Sequence, residues 1–257
     1  MLRPRLSPVL LIRNNGLVKT KNFIDDKYIG DPLNAVRIFN EKHVDELIIL
    51  DIDSSAKGCE PNFKLISKIA NECRMPLCYG GGIADLHTAE KIINLGVEKI
   101  AISSAAINDP NLIKSISDSV GSQSVAVVLD IKKSLLGSYD IFTHNGTKKI
   151  KKSLKNLITN FQHMGCGEFV INSIDRDGMM NGYDLNLAKK IRAISNLPIT
   201  IIGGAGNLED ITDLISSCGI VGCGAGSLFV FKGAYRAVLI NYPNFTDKMN
   251  SFNTTRS

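Results

Sequence analysis

Eight short apolar runs set the strongest limit on the fold of this chain. They are LSPVLLI (6–12), ELIILDID (46–53), MPLCYG (75–80), EKIAIS (98–103), SVAVVLDI (124–131), EFVINSI (168–174), LPITIIG (197–203) and GIVGCG (219–224). Segments of helical periodicity, such as 32–42, 62–72, 86–95 and 185–194, stand between most of them. Runs that stay apolar instead of alternating suit strands covered on both faces, as in a parallel sheet. Eight such βα units in 257 residues predict an α/β fold, a single closed (β/α)8 barrel. The open doubly wound sheet is the alternative. It usually carries a GxGxxG after its first strand, and this chain has none.

The chain also repeats itself. ELIILDID (46–53) aligns with EFVINSID (168–175), pairing Glu46 with Glu168 and Asp53 with Asp175. GGGI (80–83) matches GGAG (203–206), and PVLLIRN (8–14) matches VVLDIKK (127–133). A period of about 120 residues is half the chain and predicts two fused half-barrels. One barrel domain is expected over 1–242, followed by a polar tail, 243–257, expected to lack order.

Composition narrows the function. Charged residues make up 21 % and apolar residues 44 %, ordinary for a soluble globular chain. The net charge of +5 suits either a mildly basic surface or attraction of an anionic substrate. No basic run is interleaved with aromatics, which argues against nucleic acid. No apolar stretch is long enough to span a membrane, and the N-terminal run is too short for a secretory signal. Six cysteines without a CxxC pair predict free thiols in a reducing compartment, hence the cytoplasm, and no zinc site. His43, His87, His144 and His163 lack metal-ligand spacing and are expected on the surface or in helix packing. Neither a metal nor a cofactor is implied.

Two constellations carry chemistry. Gly80–Gly82 should end strand 3, and Gly203–Gly206 strand 7, each just before a helix. Glycine lets backbone approach an anion closely, and a helix start offers free N–H groups. Strands 4 and 8 end at Ser103-Ser104 and Gly226-Ser227. One phosphate site is therefore expected at Gly82, Ser103 and Ser104. A second is expected at Gly178, Gly204, Gly226 and Ser227, on the opposite side of the mouth. The pair suits a long substrate with a phosphate at each end. The second constellation is acidic: Asp51 and Asp53 end strand 2, Asp130 strand 5, and Asp175 and Asp177 lie beyond strand 6, all on the catalytic face of such a barrel. Asp53 and Asp175 read best as loop caps, Asp130 as functional, and Asp51 and Asp177 as substrate contacts.

The runs SIDRDGMMNGYD (173–184), YGGGI (79–83), GSQSVAVVLDIK (121–132) and GGAG (203–206) resemble those of the imidazole glycerol phosphate synthase cyclase subunit family. The similarity extends from about Arg5 to Phe231. The sibling isomerase barrel of the same pathway shares the halves but not SIDRDG in this form. The resemblance implies a barrel that takes ammonia through its base from a separate glutaminase and uses it at the mouth on a bis-phosphate substrate. The chain itself shows no glutaminase nucleophile motif. Asp130 matches one of the family's two acid–base aspartates and Lys19 its mobile-loop lysine. The other aspartate is replaced by Leu11, which the internal repeat also places opposite Asp130. Arg5, Glu46, Lys99 and Glu168 match the four charged residues that gate the ammonia passage; on residues alone they read equally as a salt-bridge ring closing the barrel floor. The retained gate and the altered mouth imply a divergent paralogue.

Three readings follow. The first is a lyase-type cyclase subunit, heterodimeric with a class-I glutaminase. The second is a non-cyclising ammonia conduit that serves sugar amidination in surface-polysaccharide synthesis. The third, an unrelated bis-phosphate isomerase barrel, is disfavoured by SIDRDG.

Overall fold

The computed structural model describes residues 3–134, 136–233 and 235–253. Eight parallel strands close into a barrel: β1 (Arg5–Arg13), β2 (Leu47–Asp51), β3 (Leu77–Gly80), β4 (Lys99–Ile102), β5 (Val125–Lys133), β6 (Glu168–Ser173), β7 (Ile199–Ile202) and β8 (Gly222–Ala225). Each pairs with the next, and β8 returns to β1 through Arg5↔Gly222 to Pro8↔Ala225. Closure leaves the barrel with no unpaired edge. Every run singled out in the sequence carries one of these strands.

Helices α1 (Pro32–Glu41), α2 (Phe63–Glu72), α3 (Leu86–Asn94), α4 (Asn111–Val120), α5 (Leu154–His163), α6 (Leu185–Ile194) and α7 (Leu208–Cys218) cover the outside. Their starts are written in the sequence. Asp31, Asn62, Asp85, Asp184 and Asn207 each accept a hydrogen bond from the backbone N–H three residues on. Each such cap contributes about 1 kcal/mol. Apolar residues at helical spacing, such as Leu154, Leu157, Ile158 and Phe161 on α5, then face the sheet.

Alternate strand residues build two separate apolar layers. One lies between helices and sheet and includes Leu10, Ile49, Ile100, Val127, Phe169 and Ile201. The other fills the barrel interior: Val9, Ile48, Cys78, Ala101, Ala126, Val128, Val170 and Ile202. This second layer explains why the strands read as continuous apolar runs.

Two features were not expected. After β1 the chain forms a hairpin, Gly16–Lys21 and Ile24–Gly30, and after β5 another, Tyr139–Thr143 and Lys148–Ile150. Each pairs antiparallel with the strand before it, so the two halves of the barrel repeat this addition too. The two-residue turns hold Asn14-Asn15 and Asn22-Phe23 at positive φ, the geometry that keeps such a hairpin twisted correctly, and His144-Asn145 take positive φ within the four-residue tip of the second hairpin. The second feature corrects the expected disordered tail. A helix, α8 (Phe245–Asn253), packs on α7 and completes the outer ring. Phe252, Ser251 and Lys248 are buried there, and Lys248 pairs with Asp45 at 2.8 Å. Tyr242 anchors the approach by donating to the Leu6 carbonyl at 2.8 Å. Residues 254–257 of the expected tail lie outside the described residues. No helix among the described residues is long and apolar enough to cross a membrane.

Candidate active site

The C-terminal ends of the strands open into one cavity of about 410 Å³. Leu11, Lys19, Asp51, Gly82, Ser103, Ser104, Asp130, Asp177, Gly178, Gly204, Gly226 and Ser227 all line it. Residues from every strand or the loop after it therefore converge on one place.

Asp130 sits at the end of β5, in register with Asn172 of β6, whose Nδ2 donates to Asp130 Oδ1 at 3.2 Å. Burial pushes the Asp130 carboxyl up to about 7; Asp177 adds to the rise and the Asn172 hydrogen bond opposes it. A carboxyl titrating near neutrality can give or take a proton under ordinary conditions. Leu11 lies at the matching end of β1, in register with Leu50 of β2. The internal repeat pairs Leu11 with Asp130 and Leu50 with Asn172. One half of the mouth thus presents a carboxyl and an amide, and the other half two leucines.

The two glycine-rich turns need their glycines. A Cβ on Gly81, at φ +118°, would lie 2.3 Å from the Asp51 carbonyl oxygen, and one on Gly204, at φ +111°, would lie 2.0 Å from that of Gly182. Beside each turn a serine hydroxyl, Ser103 Oγ or Ser227 Oγ, is buried with no hydrogen-bond partner among the described residues. Buried hydroxyls ordinarily find a partner. Two unpartnered ones on opposite sides of the mouth are what two anion cradles would leave waiting.

The first hairpin folds over the opening. Lys19 Nζ meets Asp177 Oδ1 at 2.7 Å, Thr20 Oγ1 donates to Asp177 Oδ2 at 2.5 Å, and Phe23 N–H to the same oxygen at 3.3 Å. Lys19 and Asp177, two expected site residues, here latch the hairpin to the loop after β6. The second hairpin reaches across, with Asn145 Nδ2 on the Ile52 carbonyl at 2.7 Å.

Some expectations need revision. Asp51, read as a substrate contact, has both oxygens engaged by its own loop: Oδ1 accepts from the N–H groups of Asp53 and Ser54, and Oδ2 from Ser54 Oγ at 2.7 Å. Asp53, read as the cap, instead pairs with Arg13 at 3.2 Å and Lys57 at 2.8 Å. Asp175 does hold a loop, accepting from Lys133 N–H at 2.7 Å. His144, expected on the surface or in helix packing, lines the cavity, as do Phe23, Asn145 and Asn172, none of which sequence reasoning had named. A turn signal was present at two places. Asn-Gly at 15–16, in the turn that follows β1, and at 145–146, in the tip of the second hairpin, is a strong short-range turn signal between strands.

At the opposite end, Arg5, Glu46, Lys99 and Glu168 form a closed ring. Arg5 meets Glu46 at 3.3 Å and Glu168 at 2.5 Å; Lys99 meets Glu168 at 2.8 Å and also Glu46. Ser7 Oγ donates to Glu46 at 3.2 Å and Thr200 Oγ1 to Glu168 at 2.6 Å. Burial alone would raise the Glu168 carboxyl, but the Lys99 and Arg5 charges and the bonds from Lys99 and Thr200 bring it below the ordinary glutamate value. Only Arg5 is appreciably open to solvent, with 32 % of its side chain exposed.

A (β/α)8 barrel whose mouth carries a carboxyl raised toward neutrality, flanked by two pseudo-symmetric glycine turns each with a buried serine hydroxyl, defines the class of fold and the place of its candidate site. The profile of the histidine biosynthesis protein family matches residues 5–236. A protein of Leptospira borgpetersenii, provisionally named imidazole glycerol phosphate synthase subunit HisF, is 58 % identical over 249 residues, 96 % of this chain and 98 % of that protein. A protein of Vibrio vulnificus (strain YJ016), with the provisional name imidazole glycerol phosphate synthase subunit hisF3, is 54 % identical over 96 % of each chain. The imidazole glycerol phosphate synthase subunit HisF of Thermotoga sp. (strain RQ2) is 34 % identical over 90 % of this chain and 91 % of its own. The chain belongs to the histidine biosynthesis family and is a divergent HisF-like member of it.

Proposed function

We propose that this barrel is the ammonia-using subunit of a glutaminase-coupled enzyme, acting on a bis-phosphate substrate with the lyase-type cyclase chemistry of histidine biosynthesis. The observation that carries this reading is the mouth itself. Asp130, titrating near 7, stands between two cradles with unpartnered serine hydroxyls, above an apolar shaft floored by the four-charge ring. Phosphates would anchor at Gly82/Ser103/Ser104 and Gly178/Gly204/Gly226/Ser227. Asp130 would serve as acid–base, and Lys19, released from Asp177, would close over the substrate. Opening the Arg5–Glu46–Lys99–Glu168 ring would admit ammonia from a class-I glutaminase docked on that face as a heterodimer in the cytoplasm.

Leu11 favours a second reading. A leucine transfers no proton, and losing one member of an acid–base pair costs about 10²–10⁴-fold in rate. The barrel would then deliver ammonia without cyclising, toward amidination of a sugar in surface-polysaccharide synthesis.

Complementation of a histidine auxotroph lacking its cyclase subunit separates the two, backed by turnover assays with ammonium salt. Robust rescue by the wild type supports the cyclase and sinks the conduit. Failure of the wild type supports the conduit, and Leu11→Asp should then raise turnover by about 10²-fold, the contribution of one restored acid–base group. Wild-type inactivity with no gain from Leu11→Asp would mean that the mouth has left cyclase chemistry altogether.

A further inference from the structure

Strand order decides what lies on either side of a ligand that uses both glycine turns. The turn at Gly80–Gly82 and the Ser103 hydroxyl belong to β3 and β4; the turn at Gly203–Gly206 and the Ser227 hydroxyl belong to β7 and β8. Round the closed barrel, β5 and β6 separate the two turns on one side, and β1 and β2 on the other. A molecule anchored at both ends therefore shows one edge to β5–β6 and the opposite edge to β1–β2.

The two edges meet different walls. On β5–β6 stand Asp130 and Asn172, joined at 3.2 Å, with Asn172 Oδ1 buried and without a partner among the described residues. On β1–β2 the cavity is lined by Val9, Leu11, Leu50 and Ile52. Leu11 and Leu50 stand in register across the two strands. The apolar surface continues past them in both directions. Leu50 Cδ2 lies 3.0 Å from where a Cβ on Gly80 of β3 would stand. Ile202 Cγ1 of β7 and Val9 Cγ2 of β1 converge over Gly224 of β8, 2.7 Å and 3.2 Å from the position of its missing Cβ. The result is an apolar arc that runs from β7 to β3. The charged side chains at the mouth ends of β1 and β2 are engaged elsewhere. Arg13 pairs with Asp26 at 2.8 Å and Asp53 at 3.2 Å, and Asp51 is held by its own loop.

An arc without donor or acceptor discriminates by desolvation. A hydroxyl pressed against it gives up water and gains no partner, while a C–H gives up nothing. Such a wall rejects an added hydroxyl by about 10²-fold at most. The facing wall prefers the reverse, because Asn172 Oδ1 stays unsatisfied beside bare carbon. The internal repeat aligns Leu11 with Asp130 and Leu50 with Asn172, so the half that could have carried a matching polar pair carries leucines. We propose that the mouth selects a bis-anion whose linker has polar groups along one edge and bare C–H along the other, with Leu11 and Leu50 as the residues that set this choice. The choice rests on the bis-phosphate reading above and adds the chemistry of the part between the phosphates. It also fixes the ligand in rotation about its long axis, which two like glycine turns cannot do.

Calorimetry on the full chain tests this with two probes of equal carbon length, ribulose 1,5-bisphosphate and 1,5-pentanediol bisphosphate. The first carries oxygens along its linker and the second none, so the ratio of their affinities reads the walls and cancels the phosphates. Leu11→Asn should move that ratio toward the sugar by about tenfold, the worth of one hydrogen bond formerly denied. Leu50→Asn, on the neighbouring strand, should move it the same way and serves if the first variant does not fold. Leu11→Met keeps the arc apolar and should leave the ratio within about twofold, inside the usual tolerance of such a swap. Asn172→Leu should move the ratio toward the pentanediol compound. Affinity for inorganic phosphate shows that each variant is folded. An unchanged ratio in both Leu11→Asn and Leu50→Asn, with both probes still bound more tightly than inorganic phosphate, would overturn the selecting arc and leave the bis-phosphate reading standing. Two probes bound no more tightly than inorganic phosphate by the wild type and by every variant would sink the bis-phosphate reading itself, and the arc with it.

Discussion

Asp130 is held where its charge is least welcome. Its folded pKa of about 7 lies above the ordinary value of 3.8, so the folded chain binds this proton more tightly than the unfolded chain does. The sign follows from that difference: this group's contribution to stability is fully present below pH about 4 and is lost as pH rises through about 7. Asp130→Asn, which cannot ionise, should therefore stabilise the fold, by roughly 2–4 kcal/mol near pH 8 and by less near pH 5. Urea unfolding at the two pH values reads the difference, and equal gains at both would contradict it. Glu168 behaves oppositely. Its carboxyl is held below the ordinary value by Lys99 and Arg5, so its contribution is present above the unfolded pKa and fades as pH falls. Removing its charge leaves two cations facing Glu46 alone, and Glu168→Gln should cost about 3 kcal/mol at neutral pH, as breaking a buried ion pair usually does. Chemical denaturation of that variant at pH about 7 checks this, and a loss within experimental error would mean that the ring is worth no more than a surface pair.

At the level of elements, what the sequence disclosed follows from how each piece is buried. The barrel strands are covered on both faces, so their apolar runs are unbroken and all of them could be read. The helices carry an apolar stripe and most a side-chain cap, and the four whose bounds were expected, at 32–42, 62–72, 86–95 and 185–194, came within a residue or two. The hairpins have much exposed surface, with Asp25, Asp26 and Lys27 open to solvent, and they read as loop. Helix α8 was hidden differently. Two of its buried residues are Lys248 and Ser251, polar side chains satisfied by Asp45 and by backbone carbonyls, so its inward stripe does not look apolar. If α8 is part of the barrel's packing, Phe252→Ala should cost about 3 kcal/mol, within the range for emptying a buried aromatic site. A disordered tail would lose nothing. Thermal unfolding decides, and an unchanged midpoint would return 243–257 to the status of an appendage.

The whole molecule is a pseudo-twofold body whose two halves agree at the glycine turns and strand-end serines and disagree at Leu11 and Asp130. That pattern was legible because repetition is a property of sequence: the Gly-Gly turns, the strand-end serines and the Leu11–Asp130 mismatch can all be read by laying one half on the other. What could not be read was which polar atoms would be left unpartnered, since that depends on the closed geometry of the mouth. The cradles belong to strands on opposite sides of the barrel, so one ligand can use both only if it carries two anionic ends. Bridging makes the second contact intramolecular, at an effective concentration in the millimolar range. A bis-phosphate sugar should therefore bind about 10²–10³-fold more tightly than inorganic phosphate. Ser103→Ala and Ser227→Ala each remove one waiting hydroxyl and should each weaken the bis-phosphate by about tenfold, one hydrogen bond to a charged group. Ser104→Glu sets a negative charge beside the first cradle. Gly204→Asp does so at the second and also drives a Cβ into the Gly182 carbonyl. Either should drop the bis-phosphate to the affinity of a mono-phosphate, because the intact cradle still holds one end. Calorimetry on the four variants measures all of this. Undiminished bis-phosphate affinity in both Ser104→Glu and Gly204→Asp would place the ligand elsewhere, and full loss of mono-phosphate binding in either alone would mean that the two cradles are not independent sites.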